Sequence, residues 1–143
     1  MNLRDFIAMP IAALAVMVLN VAISFAVIWL YSSFLDPGHP ASYYEALAMR
    51  VAPISSVVAG IPLMFIAGCL IAKSRPGRHG LMVAGGAAVL YIIVDTAVLL
   101  SVSAGRSIWM WAALSDATKL FSALAGARLC KVRSARELIS GNA

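Results

Sequence analysis

The chain has 143 residues, of which 62% are hydrophobic and only 12% charged, and its formal net charge is +5. A soluble domain is about half apolar and about a quarter charged, so lipid rather than water is the expected solvent. The positive charge does not indicate a nucleic-acid partner, because no zinc-ligand spacing or RNA-binding motif accompanies it. We expect one domain, residues 1–143, whose basic residues set the membrane topology and contact anionic lipid.

Four long apolar segments predict an all-α polytopic membrane protein, a four-helix transmembrane bundle with short loops. A helix needs about 20 apolar residues to cross a bilayer, and the segments meet or exceed that length. The first segment is too long for the apolar region of a signal peptide, about 7–15 residues, and is interpreted as a retained span. The predicted spans are about 7–34, 51–72, 80–102 and 108–129, followed by a basic tail at 130–143.

Proline and glycine residues mark where the helices end or bend. Asp36-Pro37-Gly38-His39-Pro40 holds three turn formers and predicts the first loop. Pro62 lies near the middle of span 2, where its missing N–H is predicted to free a backbone carbonyl and to kink the helix.

The distribution of lysine and arginine predicts the orientation in the membrane. Basic residues concentrate on the cytoplasmic side of membrane proteins, and tryptophans concentrate at the interfaces. Only Arg50 and Arg106 lie on the side opposite the termini, and the tryptophans cluster there as well. Both termini are therefore predicted to be cytoplasmic, in a multi-pass protein of the bacterial inner (plasma) membrane. The other loop and tail basic residues are Arg4, Lys73, Arg75, Arg78, Arg128, Lys131, Arg133 and Arg136.

Span 4 is the least apolar of the four, because it contains Asp116 and Lys119. Each such charge costs roughly 2.5–3.5 kcal/mol at the centre of a span, and the few large apolar residues of span 4 do not offset that cost. Spacing of three residues would let Asp116 and Lys119 pair on one helix face. Four spans are therefore predicted, with three spans plus an interfacial helix as the alternative.

Polar residues from several spans fall at similar depths and predict a polar intramembrane cluster. At 1.5 Å per residue, Asp95 lies roughly 6 Å and Asp116 roughly 3 Å outside the midplane, with Lys119 within about 2 Å of it. Asn20 in span 1 and Tyr91 in span 3 reach the same layer. Intramembrane charges often mark ion, proton or substrate sites, but a buried pair that fixes helix register is an equally good interpretation.

No catalytic constellation, metal site or cofactor is predicted. His39 and His79 lie in loops without a second ligand at metal spacing. Cys69 and Cys130 form no CxxC motif and are predicted to be separate packing residues, with thiols that stay reduced at the cytoplasmic ends of their spans.

Three functional hypotheses follow, and the first is preferred. The chain is a structural or accessory subunit, or a homo-oligomer, whose partners are the lipid bilayer, other membrane subunits or itself. Alternatively, it is a small proton- or ion-coupled transporter that uses Asp95 and Asp116. An intramembrane hydrolase with these two acids ranks last, because Lys119 beside Asp116 would tend to keep both acids ionised.

Overall fold

The protein is a bundle of four helices, as the sequence predicts. The computed structural model describes the backbone of residues 3–75, 78–101 and 106–140, and the side chains of residues 4–75, 79–101 and 108–131. Within these ranges there is no strand. The elements are α1 (Leu3–Leu30), a π-helical turn (Tyr31–Leu35), α2 (Ala41–Ser74), α3 (Arg78–Ser101) and α4 (Arg106–Ser140).

Judged on the described residues by length and composition, three of the helices could cross a membrane, namely those of the first three predicted spans. Helix α2 begins at Ala41, well before residue 51, and α4 continues to Ser140, well beyond residue 129. Apolarity marks only the part of a helix that matches the hydrocarbon core, and backbone hydrogen bonding continues past it. Predicted spans 2 and 4 are therefore shorter than the helices that contain them.

Helices α2 and α3 each pack against all three other helices, with α1 and α4 on opposite sides of them. Helices α2 and α4 run parallel, because Gly60 lies against Lys119 at one level and Cys69 against Cys130 further along. Helix α4 thus lies lengthwise in the bundle and does not lie apart from it. Since it stands beside an apolar helix over this length, its charged residues are brought into the interior.

Two glycines set the closest approach between α2 and α4. A Cβ on Gly68 would overlap the carbonyl oxygen of Ala123, and a Cβ on Gly126 would overlap that of Phe65. Small residues allow helix backbones to approach in this way, and in lipid such van der Waals packing replaces the hydrophobic effect as the cohesive force. We call the contact formed by Gly60, Gly68 and Gly126 the glycine seam.

The turn between α1 and α2 is held by Asp36. Its carboxylate accepts a hydrogen bond from the Tyr43 hydroxyl at 3.0 Å and lies 3.1 Å from Nε2 of His39. Its backbone oxygen accepts from the Tyr44 hydroxyl at 2.6 Å. Gly38 has φ +97°, a left-handed conformation that side chains other than glycine rarely adopt. The predicted breaker sequence therefore forms an ordered cap on the bundle.

The Asp36 cap is expected to weaken in acid. The hydrogen bond from Tyr43 is the largest influence on the pKa of the Asp36 carboxyl, which lies below its ordinary value of 3.8. A depressed pKa gives stability that is present above the ordinary value and is lost as pH falls through the folded-state value. Thermal unfolding in detergent, followed from neutral pH to about pH 2, should show a smaller acid-induced drop for Asp36→Asn than for the wild type.

Tyr43→Phe provides the matched control for this prediction. It removes the strongest hydrogen bond to the carboxylate but keeps the acid and His39, so its pH dependence should lie between those of the wild type and Asp36→Asn. Identical acid sensitivity in all three proteins would contradict the prediction.

At the opposite end of the bundle, Arg75 links the end of α2 to the start of α1. Its Nε lies 2.7 Å from Oδ1 of Asp5, and its Nη2 donates to the carbonyl oxygen of Arg4 at 3.0 Å. Asp5 is 7% exposed. These contacts tie the end of α2 to the start of α1, and we call this the Arg75 end.

Candidate functional site around Lys119

The side chain of Lys119 lies in the middle of the bundle, only 1% exposed. Its Nζ donates to the Ser56 hydroxyl on α2 and to the Tyr91 hydroxyl on α3, each at 2.9 Å. Nζ also lies 4.5 Å from the centre of the Tyr91 ring, within the range of a cation–π contact. The buried amine is therefore held mainly by neutral groups.

Asn20 completes the arrangement from α1. Its Nδ2 donates to the Ser56 hydroxyl at 3.0 Å and to the Tyr91 hydroxyl at 3.2 Å. Each of the two hydroxyl oxygens thus accepts from both Asn20 and Lys119. We call Asn20, Ser56, Tyr91 and Lys119 the Lys119 cluster, to which every helix contributes one side chain.

Small residues let the lysine reach across to α2. Gly60 lies directly beneath the Lys119 side chain, and a Cβ there would overlap Cε of the lysine. The space that this Cβ would occupy is the path of the lysine chain towards Ser56. The expected pairing along α4 with Asp116 is not what the structure has, because the lysine extends sideways over Gly60 to its partners on α2 and α3.

The two intramembrane acids lie near the Lys119 cluster but outside its hydrogen bonds. Asp116 is 8% exposed, and Asp95 is half-buried on α3 one turn beyond Tyr91. Both carboxylates are close enough to interact electrostatically with Lys119, and with each other. In the described part of the chain the ion pairs are Asp5–Arg75 and Asp36–His39, so neither intramembrane acid is within 4.0 Å of the amine.

Among the side chains that the structure describes, three buried oxygens near this layer have no hydrogen-bond partner: Oδ1 of Asn20, Oγ of Ser115 and Oδ1 of Asp116. A buried polar group left unpaired costs about 1–3 kcal/mol, and more when it is charged. Of its three N–H bonds, the Lys119 amine uses two in the hydrogen bonds to Ser56 and Tyr91. The described part of this layer therefore holds unsatisfied acceptors near the Lys119 amine.

Other hydroxyls extend the polar layer on the side of the Asp36 cap. Ser24 and Ser55 are 2.8 Å apart across α1 and α2, and Ser24 also donates to the carbonyl oxygen of Asn20. Helix α2 continues through Pro62 without a break in its helical backbone. The hydroxyl of Ser122 on α4 donates at 2.6 Å to the carbonyl of Ile61, the residue just before that proline.

The sequence predicts that Asn20, Tyr91 and Lys119 share one polar cluster, and the structure joins them by hydrogen bonds. Ser56, which bonds to both Asn20 and Lys119, is not among the predicted residues. A usable signal was present, because Ser56, Gly60 and Gly68 recur at multiples of four residues and so share one helix face. Within the side chains that are described, no three His, Cys, Asp or Glu residues could hold a metal ion together.

The prediction for the cysteines is wrong. Cys69 and Cys130 form a disulfide, with their Cα atoms 5.3 Å apart. No CxxC motif signals it, because the pairing depends on two parallel helices meeting at the glycine seam. Cys130 lies four residues after Gly126, on the face of α4 that turns towards α2.

Comparisons with known proteins give no relative for this chain: no family model, curated protein or solved structure matches.

Proposed function

We propose that this chain is a small integral membrane protein that crosses the bilayer four times, with both termini in the cytoplasm of a bacterial cell. Three apolar helices support the membrane location. The position of α4 beside α2 supports a fourth crossing, since Lys119 and Asp116 then face protein instead of lipid. The excess of lysine and arginine at the Arg75 end and in the tail supports the orientation.

Within the membrane, we propose that the protein is a structural or accessory subunit, or a homo-oligomer. The observation that supports this most is that the Lys119 amine is occupied by the protein's own hydroxyl groups, Ser56 on α2 and Tyr91 on α3, to which Asn20 on α1 also donates. Buried polar contacts of this kind commonly hold membrane helices together without taking part in chemistry. The lipid-facing surface offers large apolar side chains, among them Phe25, Trp29, Phe34 and Phe121.

Gentle extraction tests this function. The protein solubilised in a mild detergent is expected to migrate as an assembly larger than one 15.1 kDa chain, either with itself or with a second membrane protein. Native mass spectrometry gives the stoichiometry, and cross-linking in intact membranes before extraction provides the control for detergent-induced association. A chain that remains monomeric in both measurements contradicts the proposal.

A proton-coupled transporter is the second candidate, favoured by the buried Oδ1 of Asp116, to which no described residue donates a hydrogen bond. Two acids share one nearby lysine, so one carboxylate has no counter-charge of its own and can accept a proton. In proteoliposomes with an imposed pH gradient, proton flux should be lost in Asp116→Asn. Asp36→Asn, the same chemical change in the cap, is the matched control and should keep the flux. Equal flux in the wild type and Asp116→Asn excludes this candidate.

A further inference from the structure

The disulfide lies at the Arg75 end of the bundle, where the helices meet charged residues. Lys73 is one turn beyond Cys69, and Lys131 follows Cys130 directly. Both lysines are exposed, whereas the two cysteines are half-buried. The sulfur atoms therefore lie near the boundary of the apolar layer, within reach of a small reagent from the aqueous side.

The surroundings suit both redox states of the two sulfurs. The Cys69 sulfur lies 3.3 Å from the carbonyl oxygen of Gly126, which can accept a hydrogen bond from the thiol once the disulfide is reduced. In the oxidised state, the Cα separation of 5.3 Å is within the usual range for disulfides, about 4.4–6.8 Å. Because the glycine seam holds α2 against α4 beside this position, the cysteines stay adjacent whether or not they are bonded.

The predicted orientation places this pair on the cytoplasmic side, where disulfides are usually transient and act in catalysis or redox sensing. Arg128, Lys73 and Lys131 make the local surface positive, which favours the approach of anionic reagents. Two adjacent cysteines that a reagent can reach, next to basic side chains and on the cytoplasmic side, have the features of a thiol–disulfide exchange site.

We propose that Cys69 and Cys130 form a reversible thiol–disulfide exchange site for anionic low-molecular-weight thiols and disulfides, of which glutathione is the test case. The proposal rests on the proposed orientation of the chain. In the oxidising direction, one cysteine thiolate attacks a sulfur of the small disulfide and releases one small thiolate. The second cysteine thiolate then attacks the mixed disulfide and releases the other. The two cysteines lose two protons and two electrons, and the small disulfide becomes two thiols.

A redox titration tests this proposal. The purified protein is equilibrated in buffers of reduced and oxidised glutathione, quenched in acid, and treated with a maleimide polymer that adds mass to each free thiol. Since the chain has two cysteines, the count is unambiguous. We expect a transition from two free thiols to none over the ratios found in cytoplasm. Cys69→Ser should leave Cys130 as a free thiol or a mixed disulfide. A pair that stays oxidised at every ratio, or never oxidises, overturns the proposal.

A second experiment tests from which side of the membrane the two cysteines can be reached. In inverted membrane vesicles, a membrane-impermeant phosphine reductant followed by an impermeant maleimide should label the wild type, while right-side-out vesicles should not be labelled. Ser101→Cys in a background lacking both native cysteines reports the opposite end of the bundle and should label in the reverse pattern. Labelling of the native pair only from the outer face overturns the exchange site and the orientation together. It leaves the assembly measured in mild detergent unaffected.

Discussion

Gly68→Ala is expected to lower the free energy of unfolding in detergent by about 1–3 kcal/mol, the usual cost of overpacking. The added methyl group would overlap the carbonyl oxygen of Ala123, which belongs to the backbone of α4 and cannot move aside alone. Helices α2 and α4 would have to separate along the seam. Thermal or denaturant unfolding, together with the yield of folded protein, measures the effect.

Gly126→Ala is expected to act in the same way from the other helix, against the carbonyl oxygen of Phe65. The double variant should cost less than the sum of the two single variants, because a seam already opened by one methyl group admits the second more easily. Strict additivity of the two changes would contradict a shared seam.

Gly85→Ala provides the matched control for both glycines. The new Cβ would lie 3.5 Å from the Leu124 side chain, which is ordinary van der Waals contact. Since alanine is the better helix former by roughly 0.5–1 kcal/mol, this variant should be neutral or slightly stabilised. Destabilisation of Gly85→Ala equal to that of Gly68→Ala would show that helix packing in general, and not the seam, is the cause.

Lys119→Met is expected to destabilise the protein by about 1.5–3 kcal/mol, the usual contribution of hydrogen bonds that involve a charged group. Methionine fills most of the space over Gly60, so the loss of charge is the main change. Asp95 and Asp116 would then lack a nearby cation inside the bundle, and Ser56 and Tyr91 would each lose a donor. The free energy of unfolding in detergent is the quantity to measure.

Removing one acid should rescue the variant. Lys119→Met combined with Asp116→Asn is expected to be more stable than Lys119→Met alone, because the second substitution removes a charge that has lost its partner. Lys73→Met, the same change at an exposed position in the last turn of α2, is the matched control and should have little effect. If the acid substitution adds to the damage instead of relieving it, the electrostatic account of the cluster is wrong.

The glycine seam, the Lys119 cluster and the disulfide all lie on the contact between α2 and α4. The seam brings the backbones close, the lysine crosses to α2 over Gly60, and the cysteines meet beyond Gly68. A change that separates these helices should therefore disturb the polar centre and the cysteine pair together. The redox state of the cysteines thus provides a second measurement of seam integrity in the glycine variants.

The amino-acid sequence by itself determined the helical class, the number of helices and the apolar segments that lie inside them. These follow from local quantities: the length of each apolar run, and the turn formers between runs. It also predicted which polar residues stand at a common depth, because rise per residue converts position in a helix directly into depth. Asn20, Tyr91 and Lys119 were predicted on that basis alone.

Only the tertiary structure decided the partners of those residues. Depth does not specify how each helix is rotated or which helices are neighbours, so the sequence offered Lys119 either Asp116 on its own helix or Asp95 on α3 as a partner. The absence of a side chain at Gly60 instead opens a path to Ser56. The disulfide also depends on the tertiary structure. Cys69 and Cys130 are 61 residues apart in the chain, and they meet only because α2 and α4 run parallel in close contact.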